Sequence, residues 1–238
     1  MLSRDFFNNL DGSDELAEFH DQFFLDKDLI YLDGNSLGAM PKSAKDRALD
    51  VVQREWGQDL ITSWNKNNWF QLAQHLGNKI ANLIGADSGE VMVCDSTGIN
   101  LYKCLSMALQ MRPDRKTIIM EGSNFPTDNY TAQGLCKQLD KGHSIQFVEK
   151  DDILNSITDK VAVVCLTQVH YKKGHLLDMA AITEKAHQMG ALVIWDLCHS
   201  AGAMPVQLNQ CNADFAVGCT YKYLNGGPGS PAFIFIAS

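Results

Sequence analysis

From Glu90 onward the chain alternates two textures. Short apolar runs recur at Val91–Cys94, Thr117–Met120, Ile145–Val148, Val161–Leu166, Ala191–Trp195, Phe215–Cys219 and Ala232–Ile236. Several gaps between them carry apolar residues at helical spacing, notably Asn100–Met111, Asp128–Leu139 and Met179–Met189. Runs without clean polar alternation predict strands buried on both faces, and strands that alternate with helices predict a mostly parallel sheet. The expected fold class is α/β, a mostly parallel sheet flanked by helices. In such sheets a ligand site forms beyond the carboxyl ends of the strands.

The first third reads differently. It is polar and aromatic, with a helix predicted around Asp14–Phe24. Tyr31-Leu32-Asp33-Gly34-Asn35-Ser36-Leu37-Gly38 is turn-rich by its Asp, Gly, Asn and Ser content. Pro41 can start a helix that Ala44–Trp56 continues. Trp69, Leu72, Ala73, Leu76, Ile80, Leu83 and Ile84 fall close to helical spacing, and Gly85 can end that helix. The boundary near residue 89 is a change of texture rather than a linker, and no internal repeat stands out.

The residues that follow the predicted strand ends are Ser96 and Thr97, Asn124–Asp128, Thr167, Asp196 and Lys222. Asp196 comes directly after Leu192-Val193-Ile194-Trp195, where a carboxylate is costly to bury unless paired. Alone, it could be a turn residue or a helix cap. Lys222 lies 222 − 196 = 26 residues later, between two tyrosines and ahead of Asn225-Gly226-Gly227-Pro228-Gly229. A pyridinium cofactor needs a carboxylate opposite its ring nitrogen and a lysine for its aldehyde, so the pair points to pyridoxal phosphate.

The neighbouring segments fit that chemistry. Ser96-Thr97-Gly98 sits between a strand and a helix, where free backbone N–H groups and a hydroxyl can hold a phosphate; plain helix capping explains it equally well. Phe125-Pro126-Thr127-Asp128 offers an aromatic face for a pyridine ring and an acid for a cofactor hydroxyl, or else an exposed loop aromatic and a capping Asp. His199 is either a cofactor contact or support for the Asp196 carboxylate.

Composition narrows the class. With 238 residues, 45% hydrophobic and 20% charged, the chain is an ordinary globular protein, long for one domain and short for two. A net charge of −8 argues against nucleic acid or an anionic membrane as the main partner. Seven cysteines show no CxxC pair and sit mostly in apolar runs, so small buried side chains are expected rather than metal ligands or disulfides. No signal peptide is expected from Met1–Asp5 and no run matches a membrane span, which together suggest a cytoplasmic protein. Phe233-Ile234-Phe235-Ile236 reads as a buried strand that ends two residues before the last one, the mark of a C-terminally truncated chain.

With these segments assembled, the chain resembles the kynureninases, fold-type-I pyridoxal-phosphate enzymes of the class-V aminotransferase superfamily. The likeness runs from about Tyr31 to Phe235. It rests on Asp-Gly-Asn-Ser-Leu-Gly at 33–38, Ile-Asn-Leu-Tyr-Lys at 99–103 and Phe-Pro-Thr-Asp at 125–128. Asp-Leu-Cys-His-Ser-Ala-Gly at 196–202 and Tyr-Lys-Tyr-Leu-Asn-Gly-Gly-Pro-Gly at 221–229 complete it. The resemblance implies that Lys222 holds the cofactor aldehyde as a Schiff base and Asp196 pairs with the pyridine nitrogen. Tyr221 and the Thr97-Gly98 backbone would hold the phosphate, Phe125 would stack, and Pro126, Thr127, Asp128, Thr167 and His199 would line the cofactor. Tyr221 would also assist proton transfer. Ser36, Gln58 and Trp64 would lie on the substrate side. Gly98 departs from the hydroxyl residue common in relatives and keeps only its backbone N–H.

The resemblance further implies kynurenine hydrolysis in tryptophan catabolism and NAD biosynthesis, by a homodimer whose small C-terminal domain is missing here. Residues 1–60 would contribute to that small domain and the dimer interface, and 61–238 would form an incomplete cofactor-binding domain. The rival readings are another class-V enzyme, a cysteine desulfurase or an aminotransferase, and a non-catalytic fragment that only binds cofactor or dimerises. Desulfurase-like sites stack a histidine on the ring where this chain has Phe125.

Overall fold

The computed structural model describes residues 3–238; Met1 and Leu2, the start of the stretch read for a leader, lie outside the described residues. Helix α1 (Arg4–Gly12) is capped by Ser3, whose Oγ accepts the Phe6 N–H at 3.2 Å. The helix expected over Asp14–Phe24 is replaced by a short 3-10 segment, Ala17–Gln22. The Asp14 carboxylate accepts the Leu16 N–H at 2.9 Å, a local turn bond that competes with the helical one.

Pro41 precedes α2 (Lys42–Asp50), which runs on as a π-helical stretch through Val51–Trp56. After α3 (Ser63–Lys66) comes α4 (Trp69–Ile84), with the predicted bounds and stopped by Gly85 at φ +64°. Among the described residues before Gly77, only Glu55 and Ser63 are buried. Glu55 explains how so exposed a region holds its shape. Its carboxylate accepts from Arg47 at 2.7 Å, Arg54 at 3.3 Å and the Trp69 indole at 2.6 Å, and Arg54 also pairs with Asp50 and Asp59.

The remaining elements build the sheet: β1 (Val91–Val93), α5 (Thr97–Met111), β2 (Thr117–Glu121), α6 (Pro126–Leu139), β3 (Ser144–Val148), α7 (Ile153–Ser156), β4 (Val161–Thr167), α8 (Met179–Gln188), β5 (Leu192–Asp196), β6 (Phe215–Gly218) and β7 (Phe233–Ile236). The strand order is β1-β7-β6-β5-β4-β2-β3, with β7 antiparallel to both neighbours and the remaining pairs parallel.

Alternation within each strand sorts the core into two layers. Ile118, Met120, Val163, Cys165, Ile194 and Val217 pack with Leu101, Leu105 and Leu109 of α5 and Leu135 of α6. Ile119, Val164, Leu166, Val193 and Trp195 face the other way, toward Ile80 and Ile84 of α4 and Ile182 of α8. Both faces are covered, which is why the strands read as unbroken apolar runs. The chain moves outward from β2 to β3, then returns to place β4 on the other side of β2. That reversal opens a crevice at the strand carboxyl ends, and the ends of β1, β2, β4, β5 and β6 all lie along it.

Candidate active site

Asp196 ends β5 almost fully buried. Its Oδ1 accepts the Cys198 N–H at 2.8 Å, and its Oδ2 lies 3.3 Å from the Thr167 hydroxyl at the end of β4. Thr167 Oγ1 also reaches Asn124 Oδ1 at 2.6 Å, and Asn124 Nδ2 donates to Asp128 Oδ2 at 3.2 Å. The predicted residues after β2, β4 and β5 therefore form one polar chain. Asp128 is not a capping residue, because Phe125 takes the N-cap position of α6 and Asp128 points inward.

The Asp128 and Asp196 carboxyl groups are neighbours. Burial first, and then the Asp196 charge, push Asp128 well above the usual carboxylate range. A raised acid binds its proton more tightly folded than unfolded. Its stabilising contribution is present below the ordinary carboxylate pKa and is lost as pH rises through the folded value. Asp128→Asn should therefore stabilise the cofactor-free protein at pH 7.5 and flatten its stability between pH 5 and 8. An effect of ~1 kcal/mol would appear as about 2–4 °C in Tm. An unchanged or lower Tm at pH 7.5 would contradict the assignment.

Lys222 follows β6 and is 8% exposed. Its Nζ lies 2.9 Å from His199 Nε2, 5.9 Å from the centre of the Phe125 ring and 5.7 Å from that of Tyr221. Burial, then the Lys222 charge, lower the His199 pKa, so the neutral imidazole accepts from the lysine through Nε2. The ring proton then sits on Nδ1, which is buried without a partner. Of the two roles the sequence left open, His199 bonds the lysine rather than the Asp196 carboxylate, and it lines the cavity as a cofactor contact would. Burial raises Tyr221 to about 12, so its phenol stays protonated at neutral pH.

The 33–38 turn closes this corner. The Gly38 N–H donates to the Tyr221 carbonyl at 2.8 Å, and Asn225 Nδ2 donates to the Ala39 carbonyl at 2.9 Å. A Cβ at Gly38 would lie 2.1 Å from the Lys222 carbonyl oxygen, so this approach requires glycine. At the opposite end Ser96 caps α5, and the first-turn N–H groups of Thr97 and Gly98 have no intrahelical acceptor.

One cavity of about 290 Å³ is lined by Thr97, Gly98, Phe125, Thr127, Asp128, Thr167, Asp196, His199, Tyr221 and Lys222. Pro126 opens α6 behind it rather than lining it. Ser36, Gln58 and Trp64 also lie outside its lining; all three are exposed, and Ser36 bonds Asp33 at 2.8 Å. Two lining residues, Tyr171 and Cys198, were not singled out from sequence. Their only signal was a position just past a strand end.

The family profile described as aminotransferase class-V matches residues 30–234. The chain belongs to the class-V aminotransferase family. Its relatives include a kynureninase from Pseudomonas fluorescens, 52% identical over 96% of this chain and 56% of that protein. A kynureninase from Burkholderia pseudomallei strain 1106a is 50% identical over 95% of this chain and 56% of that protein. The chain thus spans a little over half the length of the curated relatives it matches. Among solved structures, the apo cysteine desulfurase of Thermococcus onnurineus NA1 superposes with a TM-score of 0.74 at 21% identity, covering 93% of this chain and 56% of that one. A C-DES variant with glycine linked to its PLP cofactor gives 0.77 at 17%, covering 92% and 59%. These last two establish the fold.

The cofactor of this enzyme family is pyridoxal 5′-phosphate, and the cavity has the complementary chemistry. Two buried carboxylates, one held above its ordinary pKa by burial and then by the other's charge, suit a ring that brings positive charge. A helix N-terminus suits a phosphate. A buried primary amine beside a neutral imidazole suits an aldehyde.

Proposed function

We propose that the chain carries the cofactor-binding half of a kynurenine hydrolase, which cleaves L-kynurenine with water to anthranilate and L-alanine and also accepts 3-hydroxykynurenine. The observation that carries this reading is the 52% identity to a kynureninase across the whole pocket-bearing region.

In this reading Lys222 anchors the cofactor aldehyde, Asp196 holds the positive charge of the ring nitrogen, and Phe125 covers a ring face. Thr97, the Gly98 N–H and Tyr221 hold the phosphate, while Thr127, Asp128, Thr167 and His199 line the remainder. Bound pyridoxal phosphate supplies an electron sink for negative charge at the substrate Cα. Lys222 Nζ, once free, takes the Cα proton as a general base, and His199 Nε2 holds that nitrogen in place. Tyr221, protonated at neutral pH and with its ring centre 5.7 Å from this amine, assists proton transfer at the substrate γ-carbonyl. Water adds to that carbonyl and the Cβ–Cγ bond breaks.

Residues 61–238 form the cofactor domain, and 1–60 serve the small domain and a homodimer interface in a cytoplasmic pathway of tryptophan catabolism. The exposed Trp56, Ile61, Trp64 and Phe70 support a partner on that side. No helix among the described residues is long and apolar enough to cross a membrane.

The full-length protein, loaded with pyridoxal phosphate, is expected to release fluorescent anthranilate from L-kynurenine. Cofactor binding without anthranilate would reject this substrate, and sulfide release from cysteine would favour a desulfurase instead.

A further inference from the structure

Beyond β4 the chain makes a tight hairpin that the proposed chemistry does not use. Leu177 N–H donates to the Gln168 carbonyl at 2.9 Å, His170 N–H to the His175 carbonyl at 3.0 Å, and Gly174 N–H to the His170 carbonyl at 2.9 Å. The turn closes on Gly174 at φ +64°. His170 faces inward and is 2% exposed. Its Nδ1 accepts the N–H groups of Lys172 and Lys173, both at 3.1 Å. Its Nε2 lies 3.0 Å from the Ser123 carbonyl oxygen, so both ring nitrogens have backbone partners.

Beneath it lies Glu121, the last residue of β2 and 1% exposed. Oε1 accepts the Ser123 hydroxyl at 3.0 Å, and Oε2 faces His175 Nε2 at 3.3 Å. His170 Nε2 is 3.7 Å from Oε1, and Lys173 Nζ is 3.5 Å from Ser123 Oγ and 3.9 Å from Glu149. A carboxylate so buried must be paired. Its partners here are the Ser123 hydroxyl and His175 Nε2. The hairpin is thereby bolted to Ser123, two residues before Phe125.

The bolt has a visible consequence at its other end. The Tyr171 ring stacks on His170, with centroids 5.4 Å apart and planes 15° apart, and meets Phe125 edge to face at 5.3 Å and 82°. Phe125 is 43% exposed and has Lys222 Nζ 5.9 Å from its centre, so its tilt depends on what flanks it. Tyr171 also lines the cavity itself. We propose that Tyr171 is a second aromatic wall of the cofactor site, and that Glu121, His170 and His175 are positioning residues that set it, and through it Phe125, against the ring. Apolar packing could hold a hairpin here without burying a carboxylate; directional bonds also fix its orientation.

The inference rests on the pyridoxal-phosphate reading. Its test measures cofactor affinity by absorbance titration, the induced circular dichroism of the bound cofactor, and Tm of the cofactor-free protein. Tyr171→Phe, which keeps the ring, should behave as wild type. Tyr171→Leu should weaken cofactor binding by about tenfold, the scale of a lost aromatic contact. It should also at least halve the induced signal at saturation, with Tm unchanged. Glu121→Gln should move affinity and signal in the same direction. Wild-type affinity and signal in Tyr171→Leu, or a Glu121→Gln variant that changes Tm alone, would overturn the inference. A wild-type protein that binds no pyridoxal phosphate would instead remove the reading beneath it.

Discussion

Replacing Lys222 by alanine is expected to lower turnover by about 10³–10⁴-fold, the range of a lost general base, while the fold is kept. In the proposed function two roles meet at one nitrogen, covalent hold on the cofactor aldehyde and movement of the Cα proton, and no other amine lines the cavity. His199, 2.9 Å away, is a neutral imidazole directed at the lysine and lacks the amine chemistry. Lys222→Arg should fail nearly as badly, because a guanidinium stays protonated and cannot serve as a nucleophile at working pH. The check has two parts: kcat of the full-length protein from anthranilate fluorescence, and borohydride reduction of the loaded protein followed by mass mapping. Wild type should carry the cofactor label on the peptide containing Lys222, and the alanine variant should carry none. A variant with a tenth of wild-type activity, or a label on another lysine, would refute the assignment.

That lysine was legible in the sequence because its surroundings were unusual: an apolar run, two tyrosines, then Asn225-Gly226-Gly227-Pro228-Gly229. The strands were legible for a related reason. Burial on both faces leaves unbroken runs such as Val161–Leu166, which differ from the spaced pattern of α4. What stayed hidden depends on contacts between distant segments. Nothing in Phe233–Ile236 announces that β7 runs antiparallel to both neighbours. Arg4–Gly12 contains Asn, Asp and Gly, poor helix formers, yet it is helical with a Ser3 cap, while Asp14–Phe24 loses its predicted helix to a turn at Asp14. His199 was placed near Asp196 by proximity in sequence, but the turn after β5 directs its ring to Lys222. Tyr171 looked like any loop aromatic until the hairpin folded it onto Phe125.

The carboxylate opposite the lysine gives the second large effect. Asp196→Asn keeps the shape of the side chain and an oxygen to accept the Cys198 N–H, so the end of β5 should hold its geometry. In the proposed function the substitution removes the negative charge that would face the ring nitrogen. Losing one such preorganised electrostatic partner in a dry site costs about 10²–10³ in kcat. The loss should fall on turnover more than on phosphate anchoring, which the proposed function assigns to Thr97, the Gly98 N–H and Tyr221. The same substitution reports on Asp128. The Asp196 charge is the second cause, after burial, of its raised pKa. With that charge gone, the decline in cofactor-free stability from pH 5 to pH 8 should become shallower, as in Asp128→Asn. Kinetics with kynurenine and thermal unfolding across this range read the two consequences separately. A variant with near wild-type kcat would refute the ring-nitrogen role, and an unaltered pH slope would refute the coupling of the two acids.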